Sequence, residues 1–228
     1  MGLVLAIETT TRLCSVALGR YGRLLAQREE DNERNAHAEV VNVFVQAVMD
    51  EAGCSFADID AVAVGLGPGS YTGSRIGLSA AKGLCFALDK PLIGLNTLST
   101  LVSAAGLSDA KSGLCWPMID ARRMEVFTQP HAYNGEPMGA VQPLVLDAAW
   151  AQTAGSCIVF GDGADKAIEL WKEAPAVVHL QGVKPHAHAM LSLAEARLAL
   201  GSTDDLAYSV PLYGKEANVT QPGKRCGA

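Results

Sequence analysis

Between residues 61 and 88 the chain reads AVAVGLGPGSYTGSRIGLSAAKGLCFAL, with glycines at 65, 67, 69 and 73 where an alternating apolar run gives way to a helical pattern. A strand, a loop almost free of side chains and a helix start leave bare backbone N–H groups open to close approach. Such a block can cradle phosphate, receive a partner, or admit another stretch of its own backbone. Two familiar phosphate chemistries are excluded by the letters. A dinucleotide fingerprint needs glycine where Ser70 stands and has no proline at the place of Pro68. A P-loop ends in Gly-Lys-Ser/Thr, whereas Gly73 is followed by Ser74 and Arg75.

Histidine and cysteine offer less. His37 precedes Glu39 at a helix start, a pair suited to acid–base work or, equally, to capping and to a favourable acid at the helix N-terminus. His186 and His188, in KPHAHAML, read as a metal pair or as a solvent-facing helix start. The six cysteines lie 30 or more residues apart, without the close pairs of zinc sites, which fits reduced thiols in a cytosolic protein. Neither a GxSxG elbow nor an HExxH helix occurs. No catalytic residue and no metal ligand is therefore assigned.

These residues must be positioned by an ordinary globular core: 228 residues, 49% hydrophobic and 18% charged, with a net charge of −6. That balance argues against autonomous nucleic-acid binding, which needs a basic face. No apolar stretch of about 18 residues occurs, and Glu8 interrupts any signal-peptide core, so a cytoplasmic protein without membrane contact is expected. Strands are predicted over LVLAIETT, CSVALGR and LLAQREED, joined as hairpins. A helix over residues 37–52 follows, started by Asn35 or the polar stretch before it and closed by Gly53. Then come a parallel strand from Asp60, the glycine loop with its helix, the strand PLIGLN and a helix over residues 97–105. After the polar junction GLSDAKSG the pattern restarts with strands LCWPMIDARR, MEVFTQPHAY and AVQPLVL and a helix. The strand CIVFGDG, the helix DKAIELWKEA, the strand VVHL and a last helix over residues 186–200 complete it. Two lobes result, 1–105 and 106–228, the second with a frayed tail NVTQPGKRCGA; they repeat in architecture, not in letters.

Three strands followed by alternating helices and strands, made twice, resemble the actin-like ATPase superfamily (ASKHA, ribonuclease H-like), an α/β fold of two βββαβα-type lobes. The resemblance implies a nucleotide clasped between lobes, with phosphate held by the first hairpin turn, here Glu8-Thr9-Thr10-Thr11, and by Gly161-Asp162-Gly163 opposite it. Glu8, Thr9, Thr10, Gly161 and Gly163 are thus candidate vestigial phosphate contacts, the alternative being tight turns that come with the fold. Asp120 is the nearest candidate to orient magnesium. No cofactor is assigned: ATP or ADP would bind only in such a cleft or at an interface shared with another subunit.

IETTTRLCSVAL, GLGPGSYTGSRIGLSAAKGL, PLIGLNTLSTL and MIDARRMEVF together resemble the bacterial TsaB (YeaZ) family over most of the chain. The resemblance implies a non-catalytic subunit required for N6-threonylcarbamoyladenosine in tRNAs that read codons beginning with A. Its partners would be the catalytic paralogue TsaD, the small ATPase TsaE and a second copy of itself, with TsaC supplying the adenylate donor and tRNA met only through the complex. In TsaD a His-x-x-x-His pair holds a metal after the equivalent strand; the matching positions here are Thr97 and Leu101, which are unsuited to the task. The alternatives are an independent metal-dependent glycopeptidase-like or small kinase-like enzyme, and an interaction protein unconnected with tRNA.

The first-lobe helices carry the binding signal. On HAEVVNVFVQAVMDEA, Val41, Phe44, Val45 and Val48 form one apolar face, and Val40, Val43 and Ala47 widen it beyond the ~100° stripe of a one-sided helix. On RIGLSAAKGLCFAL the small residues Gly77, Ala80, Ala81 and Gly83 are flanked by Ile76, Leu78 and Leu84. Either both helices are hidden within one monomer, or they meet counterparts in a four-helix interface that serves a homodimer and a TsaD heterodimer. The second reading assigns Val40, Val43, Phe44, Ala47, Ile76, Gly77, Ala80, Ala81 and Leu84 to the partner surface, burying ~1,200 Å² or more in total.

Overall fold

The computed structural model describes residues 2–31, 37–107 and 113–214; Asn35, Cys226 and the tail NVTQPGKRCGA lie outside the described residues. Strands β1 (Leu3–Glu8), β2 (Leu13–Arg20) and β3 (Arg23–Asp31) form an antiparallel meander. On the other side of β1, β4 (Ala61–Gly67) and β5 (Leu92–Asn96) pair in parallel, giving the order β3-β2-β1-β4-β5. One face carries α1 (His37–Ala52) and α2 (Tyr71–Leu88), whose inner side chains join Leu3, Leu5, Ile7, Val62 and Val64 in one core. Helix α2 starts where Ser70 Oγ accepts the Gly73 N–H, and ends at Asp89 in the left-handed conformation.

The second sheet repeats that order. β6 (Leu114–Asp120), β7 (Glu125–Thr128) and, beyond the short β8 (His131–Ala132), β9 (Gln142–Val145) are antiparallel neighbours in the order β9-β7-β6. β10 (Cys157–Phe160) and β11 (Val177–Leu180) add in parallel on the far side of β6. The helices here are short: α3 (Thr97–Ala105) precedes the sheet, and α4 (Ala148–Thr153), α5 (Asp162–Asp165) and α6 (Ile168–Lys172) follow its strands. The single helix expected over DKAIELWKEA is broken between α5 and α6, where Trp171 turns into the core and gives its indole N–H to the Ala164 carbonyl. Trp116, Trp150 and Trp171 pack edge to face, with centroids 5.4 and 6.0 Å apart, Trp171 in the core of this sheet and the other two against it. The result is the duplicated, two-lobed actin-like architecture.

The lobes exchange helices. Leu98, Leu101 and Val102 of α3 pack with Cys115, Ile119 and Phe160 of the second sheet. Conversely, the 3-10 turn Ala187–Met190 and α7 (Leu191–Ala199) set Ala187, Met190, Leu191 and Ala194 against Val4, Ala6, Ala61 and Ala63 of the first. This is why β1 and β4 read as unbroken apolar runs: both of their faces are covered. Each sheet is roofed in part by a helix from the other half of the chain. Beyond α7 a strap returns over the first lobe: Asp204 accepts the Gly94 N–H, Lys82 reaches the Ala207 carbonyl, and Leu212 N–H donates to Leu66 O.

Candidate functional site

The glycine block serves backbone approach. A Cβ at Gly69 would lie 2.2 Å from Thr10 O, one at Gly73 2.0 Å from Thr9 O, and one at Gly77 2.2 Å from Thr9 Oγ1. Only hydrogen at these positions lets the block seat on the β1–β2 turn. The turn's polar groups are then used within the chain: Ser70 N–H donates to Thr10 O at 2.6 Å, Thr9 Oγ1 donates to Gly73 O, and Thr10 and Thr97 hydroxyls share a hydrogen bond at 2.9 Å. Glu8, Thr9 and Thr10 are fully buried. Glu8 Oε1 accepts the Thr10 N–H, Oε2 has no hydrogen-bond partner among the described residues, and burial pushes this carboxyl up to about 7.

The second turn is packed in a similar way. Cβ atoms at Gly161 and Gly163 would meet Met118 O at 2.3 Å and Val126 Cγ1 at 2.7 Å. Asp162 Oδ1 accepts the Asp120 N–H, and burial raises its carboxyl to about 6. Asp120 itself is exposed and paired with Lys166. The structure therefore places all five expected phosphate contacts in close-packed turns.

The other candidates have structural partners. His37 is buried and its Nε2 bonds to Thr11 O at 2.9 Å, a contact with the neighbouring β1–β2 turn. The His186 and His188 rings stack 5.3 Å apart, and their Nδ1 atoms bond to Glu29 Oε2 and Gln27 Oε1. Among the described residues no group of three or more His, Cys, Asp or Glu side chains is placed to hold a metal ion. Thr97 is bonded to Thr10, and Leu101 lies in the core.

The open feature is the outer face of α1 and α2. A groove of about 580 Å³ runs between them, lined by Ala38, Val41 and Asn42 of α1 and by Tyr71, Thr72, Arg75, Ile76, Ser79 and Ala80 of α2. A neighbouring hollow of about 510 Å³ is bounded by Asn42, Val43, Gln46, Ala47 and Asp50. Val43 is 62% exposed, while Val40, Phe44, Ala47, Ile76, Ala80 and Leu84 are half-buried. Gly77 and Ala81 do not belong to this surface: both are buried on the inner side of α2, Gly77 against Thr9 and Ala81 in the core beneath the helices. What hydrophobicity missed is the polar half of the face. Tyr71, Arg75 and Ser79 recur every fourth residue, the spacing of one helix face, and that spacing was visible in the letters. Phe86, further along α2, is 83% exposed.

The family model described as "TsaD: tRNA N6-adenosine threonylcarbamoyltransferase" matches residues 30–155. Over 218 residues the chain is 33% identical to the tRNA threonylcarbamoyladenosine biosynthesis protein TsaB of Escherichia coli (strain K12), covering 92% of this chain and 93% of that protein. A shorter stretch of 68 residues, 30% of this chain and 20% of the relative, is 47% identical to the tRNA N6-adenosine threonylcarbamoyltransferase of Clostridium perfringens (strain SM101 / Type A). Among solved structures, YeaZ from Pseudomonas aeruginosa superposes with a TM-score of 0.77 at 29% identity, covering 93% of this chain and 100% of that one.

Proposed function

The chain belongs to the TsaB (YeaZ) family, and from that premise we propose that it serves tRNA N6-threonylcarbamoyladenosine biosynthesis as a non-catalytic subunit that binds TsaD through the α1–α2 face. The observation that carries the binding surface is the groove between two long helices, open on the outside while the turn beneath them is closed. In support of a non-catalytic role, Thr97 and Leu101 stand where the resemblance places the metal-binding histidine pair of TsaD. Their side chains are a hydroxyl already bonded to Thr10 and an aliphatic group in the core.

The mechanism is binding. Contacts on the face are made with one conformation of TsaD in preference to others, so association raises the population competent to use adenylate and tRNA; the shift is limited by that difference in affinity. The same face pairs two copies of this chain when TsaD is absent, an isologous contact. TsaE joins the assembly in the cytoplasm, tRNA is met through the complex, and any nucleotide sits at a shared interface.

Reconstitution of tRNA modification with TsaC, TsaD and TsaE, run with and without this protein, tests the reading: modified nucleoside is expected only when it is present. Val43→Glu, at a side chain 62% exposed, should leave the thermal midpoint unchanged while TsaD no longer co-purifies. Intact co-purification would refute the surface. Peptide hydrolysis or small-molecule phosphorylation by the chain alone at enzyme-like rates would refute the non-catalytic role.

A further inference from the structure

Among the described residues that line the α1–α2 groove, Arg75 alone carries a formal charge; the others are apolar or bear only hydroxyl and amide groups. Its guanidinium is held in place within the chain. Nε donates to Tyr213 Oη at 2.9 Å, and the cation sits 4.0 Å from the Tyr71 ring centroid and 5.7 Å from that of Tyr213. The two rings are 5.2 Å apart and so touch each other, and the guanidinium packs beside the pair, nearest to Tyr71. Its terminal nitrogens, Nη1 and Nη2, make no hydrogen bond or ion pair among the described residues. Tyr213 comes from the far end of the chain, on the strap that Leu212 ties to Leu66 and Ala207 ties to Lys82.

We infer that Tyr71, Arg75 and Tyr213 form a preformed anchor for a carboxylate, and that its occupant is an Asp or Glu side chain projected by the helices of the protein partner. The inference rests on the docking-face reading above and adds the partner's chemistry and the strap's part in it. Three arguments favour this occupant. A guanidinium with both terminal NH2 groups free offers the planar fork that a carboxylate meets with two parallel hydrogen bonds. A lone cation in a groove without acids is complementary to a negative side chain. Tyr and Arg are the residues that dominate binding energy at interfaces, and a side chain already immobilised loses less freedom when the partner arrives.

The test is titration calorimetry of TsaD against the full-length chain and its Arg75→Ala, Arg75→Lys, Arg75→Glu, Tyr213→Phe and Val43→Glu variants, each checked for an unchanged thermal midpoint. Arg75→Ala should weaken binding by about thirtyfold or more, the loss typical of an interface hot spot. Arg75→Lys should recover little of it, because an ammonium has neither fork nor stacking plane. Tyr213→Phe, which removes only the hydroxyl that holds Nε, should weaken binding roughly threefold to tenfold, the scale of one ordinary intramolecular hydrogen bond. Arg75→Glu should abolish binding, and a Glu→Arg or Asp→Arg exchange at the facing position of TsaD should restore it. If Val43→Glu blocks TsaD and Arg75→Ala binds like the parent, the face stands and the anchor is overturned. If neither variant changes binding, or the parent chain does not bind, the face itself fails and the anchor with it. A defect of Arg75→Ala that appears only when ATP is present would assign the guanidinium to phosphate and overturn the carboxylate.

Discussion

Glu8 and Asp120 end the corresponding strands of two sheets with the same strand order, yet Glu8 is sealed from solvent and Asp120 stands in it, paired with Lys166. The helices explain the difference. In the first lobe the 18-residue α2 begins with glycines that let it settle directly onto the turn after Glu8. In the second, the corresponding α5 has 4 residues and leaves the turn after Asp120 at the surface. Closing the turn from below is what frees the opposite side of a long helix for other work. The lobe that seals its turn is also the lobe with a face to offer.

The comparison breaks most sharply at Gly73. A Cβ there lies 2.0 Å from the Thr9 carbonyl, which is backbone, so Gly73→Ala should cost about 3 kcal/mol or more in urea denaturation. If it costs under about 1 kcal/mol, the close seating of α2 is not what seals the turn. Next in size is the pH dependence. Burial raises Glu8 from an ordinary 4.5 to about 7, so the unfolded chain ionises first as pH rises. The native state retains the proton longer, and stability is therefore full below about pH 4.5 and falls as pH rises towards 7, by on the order of 3 kcal/mol. Asp162, raised to about 6, adds in the same direction. Glu8→Gln should be more stable than the parent at pH 8, differ little at pH 4, and flatten the profile of thermal midpoint against pH. Gly83→Ala sharpens the contrast within α2 itself: a Cβ there meets nothing within 4 Å, so a gain of about 1 kcal/mol is expected in the same denaturation assay. Smallest of all, Asp120→Asn should change stability by less than about 1 kcal/mol at any pH, as befits an exposed ion pair.

Much of this arrangement was legible in the sequence because it depends on local pattern. The meander β1 to β3, helix α1, the glycine block and the repeat of the strand order all follow from alternation, capping and turn residues, whereas α2 begins at Tyr71, four residues before the stretch read as its helix. The exchange of α3 and α7 was not legible, since an apolar stripe says that a helix is covered but not by which sheet. The strap was missed for a related reason. Asp204, Leu212 and Tyr213 act through contacts more than a hundred residues away, and nothing in their neighbours announces this. The proposed partner surface shows the same limit at the scale of one helix. Gly77 and Ala81 were selected for being small, and smallness is what a helix needs where it meets its own turn and core; the residues left outside were Tyr71, Arg75 and Ser79.

All three tryptophans of the chain belong to the second sheet: Trp171 is buried in its core, and Trp116 and Trp150 are half-buried against it. Indole emission is therefore a native dye on one lobe alone: a shift on denaturation follows the opening of that sheet, and a difference from the far-ultraviolet circular dichroism transition would expose the order in which the lobes come apart. The α1–α2 face is dark in the same channel, so an indole on the proposed partner can be watched during association against a background that this face does not supply.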